Sequence, residues 1–507
     1  RPHPVPGADD RAARLIESKE DGTMRHEPGG GPSTEKSLGP IVSRDGGPAM
    51  PGLMKRDWLV ALVFFAVGLS AVILVTRAQR TAIADKVMTW RWFEADCPEI
   101  LASMSDRSAD NQKVKLHPIF PLMTYPVITA ITWIGHVSPL EAVWLLNAAT
   151  AGVWLGTLYL VMRLLDCRLL DSLLFTCLAA SSGAATFWFF VPETYPLGSL
   201  TILLALGLVA LARHRRVPDW WFVVASAGSL TITVTNWIAG LIGTFVSRPP
   251  RRAAVLSAGA LAVVLGLLFV EKATFPRADS WFISPRGYSR HKLYFLCGEQ
   301  GGALNAARVI YLTSAVVPRI ELSTWVSQQT PHGPMLTIQR APAGSSGVIG
   351  LVATITWGLL LAAGAMALVA GRGDVRFRIA LAVTILGETV VYLIYGEETF
   401  LYALNCVPLL ILAVALATLS RWRYVVVAAT ALLLPCAAWN NISQLRAALD
   451  IPVQAPRIGA RLDPRPQLPL TIGAAASESA DHSCRVCSHE EQMDAQATSP
   501  PLALARR

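Results

Sequence analysis

Four carboxylates stand close together in WRWFEADCPEILASMSD (residues 90–106): Glu94, Asp96, Glu99 and Asp106. Beyond them the chain reads HPIFP from His117. Glu193 lies in FVPETYPLG, and Glu397 and Glu398 in YGEETFLYALNCVP. A carboxylate held against a hydroxyl can take its proton as the oxygen attacks. Basic side chains suit a phosphate group, and a run of them occurs at Arg286, Arg290, His291 and Lys292. The chemistry these residues could share is group transfer from a phosphate leaving group to an acceptor hydroxyl, with cations stabilising the departing phosphate. A metal bridging carboxylate to phosphate is optional in such a scheme.

The elements that must position them are apolar. Of 507 residues, 53% are hydrophobic and 16% charged, with mean hydropathy +0.44. Soluble domains run near a quarter charged. DWLVALVFFAVGLSAVILVT (57–76) carries one charge, at its first residue, whereas AAVLSAGALAVVLGLLFV (253–270) and VIGLVATITWGLLLAAGAMALVAG (348–371) carry none. About 20 such residues cross the hydrocarbon core as a helix. The runs are continuous rather than alternating, which excludes a barrel. The fold class is therefore an all-α polytopic membrane protein with about ten to eleven crossings.

Arg-rich short loops give the sidedness, because such loops stay cytoplasmic. They fall at Arg163/Arg168, 213–216, 248–252, 372–378 and 421–423. Placing them all inside requires that HPIFPLMTYPVITAITWIG (117–135) lie at the outer surface or dip into it. It also requires that 219–246 go out and return, with Thr235 and Asn236 at the turn. The regions 77–139, 190–195, 274–347 and 396–398, and the tail from 440, then face outward. The acids named above all fall on that side. Trp90, Trp92 and Phe93 suit the membrane interface, where they would hold Glu94 and Asp96 at the depth of a lipid phosphate. Glu99 and Asp106 read as solvated.

Basic residues outnumber acids in the long loop 274–347, and 307–326 reads as an amphipathic stretch on the membrane surface. Glu388 is an acid within a span, where a carboxylate faces the bundle interior or a cavity. Residues 1–53 read as a disordered extension, with Met24, Met50 or Met54 as the natural start and Lys55–Arg56 opening an uncleaved signal anchor. The membrane domain runs over 54–440, and 441–507 reads as a flexible tail. Eight Lys against 36 Arg hint at a GC-rich bacterial genome. Cys484 and Cys487, with His482 and His489, have redox or metal spacing, but one CxxC in such a tail reads as a disulfide or a chance pair. Asn441-Ile-Ser matches a glycosylation acceptor and means little in a bacterium.

The order of these parts resembles the GT-C superfamily of membrane glycosyltransferases. Those enzymes use polyprenyl-phosphate sugars at the outer or lumenal face. The resemblance covers about residues 55–440 and is carried by FEADCPEI, by HP at His117–Pro118, and by VPETYPLG. It implies a catalytic acid in the first outer loop, matched by Glu94 and Asp96. Asp96 is the favoured base, with Glu94 as its alternative or partner. It implies that His117 belongs to the element returning to the membrane, and that Glu193 orients the acceptor or a metal. Ile119 stands where that family's second proline falls. Arg286, Arg290, His291 and Lys292 are the donor-phosphate candidates, with Glu388, Glu397 and Glu398 as further acids.

The implied partners are the bilayer, a polyprenyl-phosphate-linked sugar and a glycan, lipid or protein acceptor, without nucleic acid. The implied place is the bacterial inner membrane with the site facing the periplasm. No phosphate-binding loop or dinucleotide fingerprint stands in a strand–turn–helix context, which argues against an ATP-driven pump. Two other classes remain. An O-antigen ligase or polymerase would rely on Arg and His of the late loop. A transporter or flippase of a lipid-linked saccharide calls for interrupted helices and repeats.

Overall fold

Long apolar runs have one way to satisfy their backbone in lipid, and the computed structural model builds them as helices. The structure describes residues 53–279, 301–323, 334–371, 373–396 and 398–452. The helices are α1 (Lys55–Ala78), α2 (Arg80–Met88), α3 (Cys97–Ser105), α4 (Phe120–Gly135), α5 (Pro139–Leu164), α6 (Leu169–Ala180), α7 (Gly183–Trp188), α8 (Tyr195–Ala212), α9 (Asp219–Ile232), α10 (Trp237–Ser247), α11 (Pro250–Thr274), α12 (Ala303–Arg308), α13 (Val348–Ala370), α14 (Val375–Ile394), α15 (Ala403–Leu416) and α16 (Arg423–Asp450). Two-residue strands β1 (Glu321–Leu322) and β2 (Leu336–Thr337) pair antiparallel, and Trp92 bridges to Leu336 beside them.

Among the described residues eight helical segments are long and apolar enough to cross a bilayer. The chain is a multi-pass membrane protein. The further crossings expected from sequence are built of short pieces. The stretch 169–190 divides at Ser181–Ser182, where the Ser182 hydroxyl accepts from Ala185 N and caps α7. Helix α4 has 16 residues, about 24 Å of rise against a core of about 30 Å. The stretch 219–246 breaks at 233–236, and Arg248 at the far end of α10 returns to Asp219 at the start of α9 at 2.9 Å. That contact makes α9 and α10 a hairpin.

Helices α1 and α5 pack antiparallel. Ser138 and Glu141 form a capping box that starts α5, with Pro139 in its first turn. Arg80, just past α1, pairs with Glu141 at 2.8 Å, while Arg163 at the other end of α5 pairs with buried Asp57 at 2.9 Å. Small residues let the backbones close, because Gly68 faces Ala151 and Gly152, and Gly156 faces Ala61. The segment Thr399–Leu419 lies at the centre, 89% buried, while α1 and α11 are at the margin, 28% and 22% buried. Marginal helices expose Leu59, Leu62, Val255 and Phe269, as a lipid-facing surface should.

Among the described residues, four of the five Arg-rich loops are pinned by an acid. Arg163 holds Asp57, Arg213 holds Asp166 at 2.6 Å, Arg248 and Arg252 hold Asp219, and Arg423 holds Asp171 at 2.7 Å. His214 reaches the Leu164 carbonyl, and Cys167 lies against the carbonyl of Ala415. These contacts gather the loops after α5, α8 and α15 at one end of the bundle. The loop carrying Asp96 follows the opposite end of α1.

Two expectations are corrected. The described part of 307–326, residues 307–323, does not form an amphipathic surface helix. Helix α12 runs into one wide turn at Val309–Thr313, and Val309, Ile310, Ala315, Val316 and Val317 are buried. The backbone there is taken up by the core, with Gly183 N and Ala184 N donating to Ala315 O and Ser314 O. The membrane domain does not stop at 440, since α16 continues to Asp450. Asn440 and Asn441 are buried within it and clamp Val317 and Ala315. Asn441 is thereby unsuited as a glycosylation acceptor.

Candidate active site

The loop between α2 and α3 is bent by three non-glycine residues in left-handed backbone: Trp90 (φ 62°), Phe93 (φ 48°) and Glu94 (φ 57°). Each such residue costs on the order of 1–3 kcal/mol and persists only where packing imposes it. Here the packing is aromatic. Trp92 and Phe93 are 0% exposed. Phe93 lies edge-on to Phe187, Trp188 and Phe400, and Trp92 packs on Phe187 and Phe190. These two rings are core residues and not interface anchors, which corrects the sequence expectation. They nail the acidic loop to α7 and to the turn before α15.

Asp96 sits at the start of α3 without capping it. Its backbone N–H donates to Glu193 Oε1 at 2.8 Å, although 97 residues separate them. Its carboxylate, 37% exposed, is ion-paired with Lys113. The same ammonium lies 4.0 Å from Glu99, whose side chain is exposed at the edge of the cluster, as expected of a solvated acid. Glu94 is half-buried. Asp106 is held apart by its own turn, accepting from Ser108 N and Oγ at 2.7 and 2.8 Å.

Glu193 is 4% exposed and also accepts from Thr194 N. Burial pushes its carboxyl up to about 7, against the pull of Lys113 and the Thr194 amide. Burial, and then Glu193, push the adjacent Cys97 thiol up, so it is no thiolate nucleophile. The group can therefore offer an accessible carboxylate (Asp96), a buried carboxylate poised near neutrality (Glu193) and a cation between them (Lys113).

His117 has a different task. Its Nδ1 lies 2.8 Å from Ile232 O and 3.2 Å from Thr233 Oγ1. Ile119 N donates to Thr231 O, and Val234 N to Leu116 O. The His-Pro segment clasps the α9–α10 break, taking up carbonyls that the interrupted helix leaves open.

Glu398 anchors a second buried group. The Thr337 hydroxyl donates to it. Gln339 exchanges two hydrogen bonds with Thr399, at 2.8 and 2.9 Å, and Arg308 donates to Gln339 O at 2.7 Å. Burial pushes the Glu398 carboxyl to about 7, with Thr337 the largest opposing influence. Phe400 ties this group to Phe93 and so to the Asp96 loop.

A raised acid binds its proton more tightly in the folded state than in the unfolded chain. Its contribution to stability is complete below the unfolded value of about 4.3 and is lost as pH rises through about 7. Glu398→Gln is therefore expected to raise the melting temperature of the detergent-solubilised protein at about pH 8 and to leave it unchanged at about pH 4. Equal shifts at both values would show that the charge is not the cause.

Glu388 lies within α14 and is 0% exposed. It sits beside Tyr392, whose hydroxyl takes a hydrogen bond from Asn405 at 3.0 Å, and Asn405 approaches Asn236 at 3.4 Å. Glu397, Arg286, Arg290, His291, Lys292 and the 482–489 Cys/His cluster lie outside the described residues. Sequence reasoning passed over Lys113 and Arg308. Lys113 stood in plain view as KVK after the acidic stretch, but no spacing rule places it against Asp96.

Among the described residues no three His, Cys, Asp or Glu are grouped to hold a metal. The Asp96 carboxylate is instead paired with the Lys113 ammonium. No family model, curated protein or solved structure matches the chain.

Proposed function

We propose that the protein is a membrane glycosyltransferase of GT-C type, moving a sugar from a polyprenyl-phosphate donor to an acceptor hydroxyl at the periplasmic face of a bacterial inner membrane. The observation that carries the reading is the meeting of Asp96, Glu193 and Lys113 at the end of the bundle away from the Arg-rich loops. Short Arg-rich loops stay cytoplasmic, which orients that site outward.

In this reading Asp96 takes the acceptor proton as the hydroxyl oxygen bonds to the anomeric carbon. The bond from that carbon to the phosphate oxygen breaks, and the polyprenyl phosphate leaves with its electron pair. Lys113 neutralises the leaving phosphate. A phosphate arriving at Lys113 competes with Asp96 for the ammonium, and so frees the carboxylate when the donor is bound. Glu193 positions Asp96 through its backbone N–H.

A transporter reading draws on one observation, the buried Glu388–Tyr392–Asn405–Asn236 group beside the broken hairpin. The deciding assay is transfer of labelled sugar from a polyprenyl-phosphate donor by the purified full chain. Transfer supports the enzyme, whereas saccharide movement across proteoliposomes without transfer supports the transporter. Lys113→Met is expected to lower kcat/KM by on the order of 10²-fold. Lys113 pulls the Glu193 carboxyl down, so its loss should also move the acidic limb of the pH profile to higher pH. An unmoved limb would remove Lys113 from the site.

A further inference from the structure

Three elements bring polar side chains together inside the bundle. Glu388 and Tyr392 come from α14, Asn405 from α15, and Asn236 from the break between α9 and α10. Each is at most 2% exposed. Asn405 Nδ2 donates to Tyr392 Oη at 3.0 Å and approaches Asn236 Oδ1 at 3.4 Å. The other atom of each amide, Asn405 Oδ1 and Asn236 Nδ2, has no hydrogen-bond partner among the described residues. Both face Gly198 of α8, where an added Cβ would stand 3.3 and 2.8 Å from them. The two Glu388 oxygens have no partner of hydrogen-bond geometry there either. The Tyr392 hydroxyl, one turn along, is the polar group beside them.

No cation of the described residues pairs with Glu388. The elements packed against α14 are α8, α10, α12, α13 and α15. Helices α10 and α13 carry no titratable residue, α8 carries Tyr195 and α15 carries Cys406. Arg308 of α12 is engaged by the carbonyls of Gln339 and Ala341. Tyr311 of the wide turn is bound to Thr389, and Tyr402 stacks on Tyr392 at 4.4 Å. Only Tyr392 and Cys406 of these face the Glu388 carboxyl. Neither supplies a positive charge. A bare carboxylate in such apolar surroundings is not sustained, and it takes up a proton or a counter-ion.

We infer that Glu388 is a binding site for an exchangeable monovalent cation, held beside Tyr392 and Asn405 in the bundle interior. A proton and a sodium ion meet the same need, because either removes the charge. Sodium would draw on Tyr392 Oη and Asn405 Oδ1 as further oxygen ligands. The helix break beside Asn236 is the kind of interruption at which membrane proteins place coupling ions. The site shares no residue with the Asp96–Glu193–Lys113 group. It goes beyond both readings of the function, since it requires neither sugar transfer nor saccharide movement.

The test uses the purified full chain and dicyclohexylcarbodiimide, a lipid-soluble reagent. A reagent nitrogen takes the acid's proton and the carboxylate oxygen bonds to the central carbon, so the protonated carboxyl is the reacting form. The adduct is mapped by peptide mass spectrometry. It is expected on Glu388 at about pH 7, where exposed carboxylates are ionised, and its yield should fall about tenfold per pH unit once the carboxyl ionises. Sodium chloride is compared with choline chloride. Protection by sodium alone assigns sodium, whereas a yield set by pH and indifferent to both salts assigns the proton. Glu388→Gln should lose the adduct, and with it the infrared carbonyl stretch of a neutral carboxylic acid. The infrared spectrum needs no access by reagent, and the wild-type profile decides the matter where the variant does not fold. An adduct yield that neither pH nor sodium changes would overturn the proposal. So would absence of both adduct and infrared band in the wild type, with a melting temperature that sodium leaves unmoved.

Discussion

Asp96→Asn is expected to reduce sugar transfer from a polyprenyl-phosphate donor by on the order of 10³-fold, within the range that general bases contribute. The substitution keeps shape and removes the proton acceptor. Stability should change little, because the side chain is 37% exposed and its ion pair with Lys113 is itself partly exposed. The backbone N–H that Glu193 accepts is untouched. The measurement is single-turnover transfer on wild type and variant at matched melting temperature. Full activity in the Asn variant, with loss on changing Arg290 or His291, would turn the assignment toward a ligase-type enzyme. Glu193→Gln separates positioning from chemistry. It should lower kcat and remove the acidic limb near pH 7 that its raised carboxyl predicts, whereas a merely structural role would leave the pH profile in place.

Gly152→Val should have the largest effect on folding. A Cβ at Gly152 would stand 2.5 Å from the Phe65 carbonyl oxygen and 2.8 Å from its ring, and one at Gly68 would stand 2.9 Å from the Ala151 backbone. Backbone cannot swing aside as a side chain can. The α1–α5 contact would have to open along its length, breaking the fit that places Arg80 on Glu141 and Arg163 on Asp57. Overpacking of this kind costs about 3 kcal/mol, or roughly 10 °C in melting temperature. The control is Gly266→Val in α11, where no atom lies within 4 Å of the added carbon. Equal melting temperatures for the two variants would show that close α1–α5 packing does not limit stability.

The site was legible in part. Asp96 and Glu193 are conspicuous as acids in short turns of an apolar chain, and the structure joins them. Glu398 was visible in the same way, yet it proves to be buried with Thr337 and near Arg308 rather than presented at a surface. His117 was noticed for its type, but its ring serves the α9–α10 break. Lys113 is visible as KVK but carries no local sign of its partner. Its meaning comes from lying opposite Asp96, which no reading of neighbours along the chain can supply.

The sequence by itself determined the helices, their membrane character and the hairpin at 219–246. Those properties follow from local composition, because a lipid-embedded backbone must close its hydrogen bonds within the segment. Arginine placement likewise marked one end of the bundle. Only the tertiary structure decided which loops meet. Trp92 and Phe93 look like interface residues until α7 and Phe400 close over them. The stretch 307–326 looks amphipathic until Asn441 and Gly183 draw its described part inside. Each depends on helices far apart in the chain packing side by side, and that packing is set by side-chain shape across the interface rather than by periodicity along it.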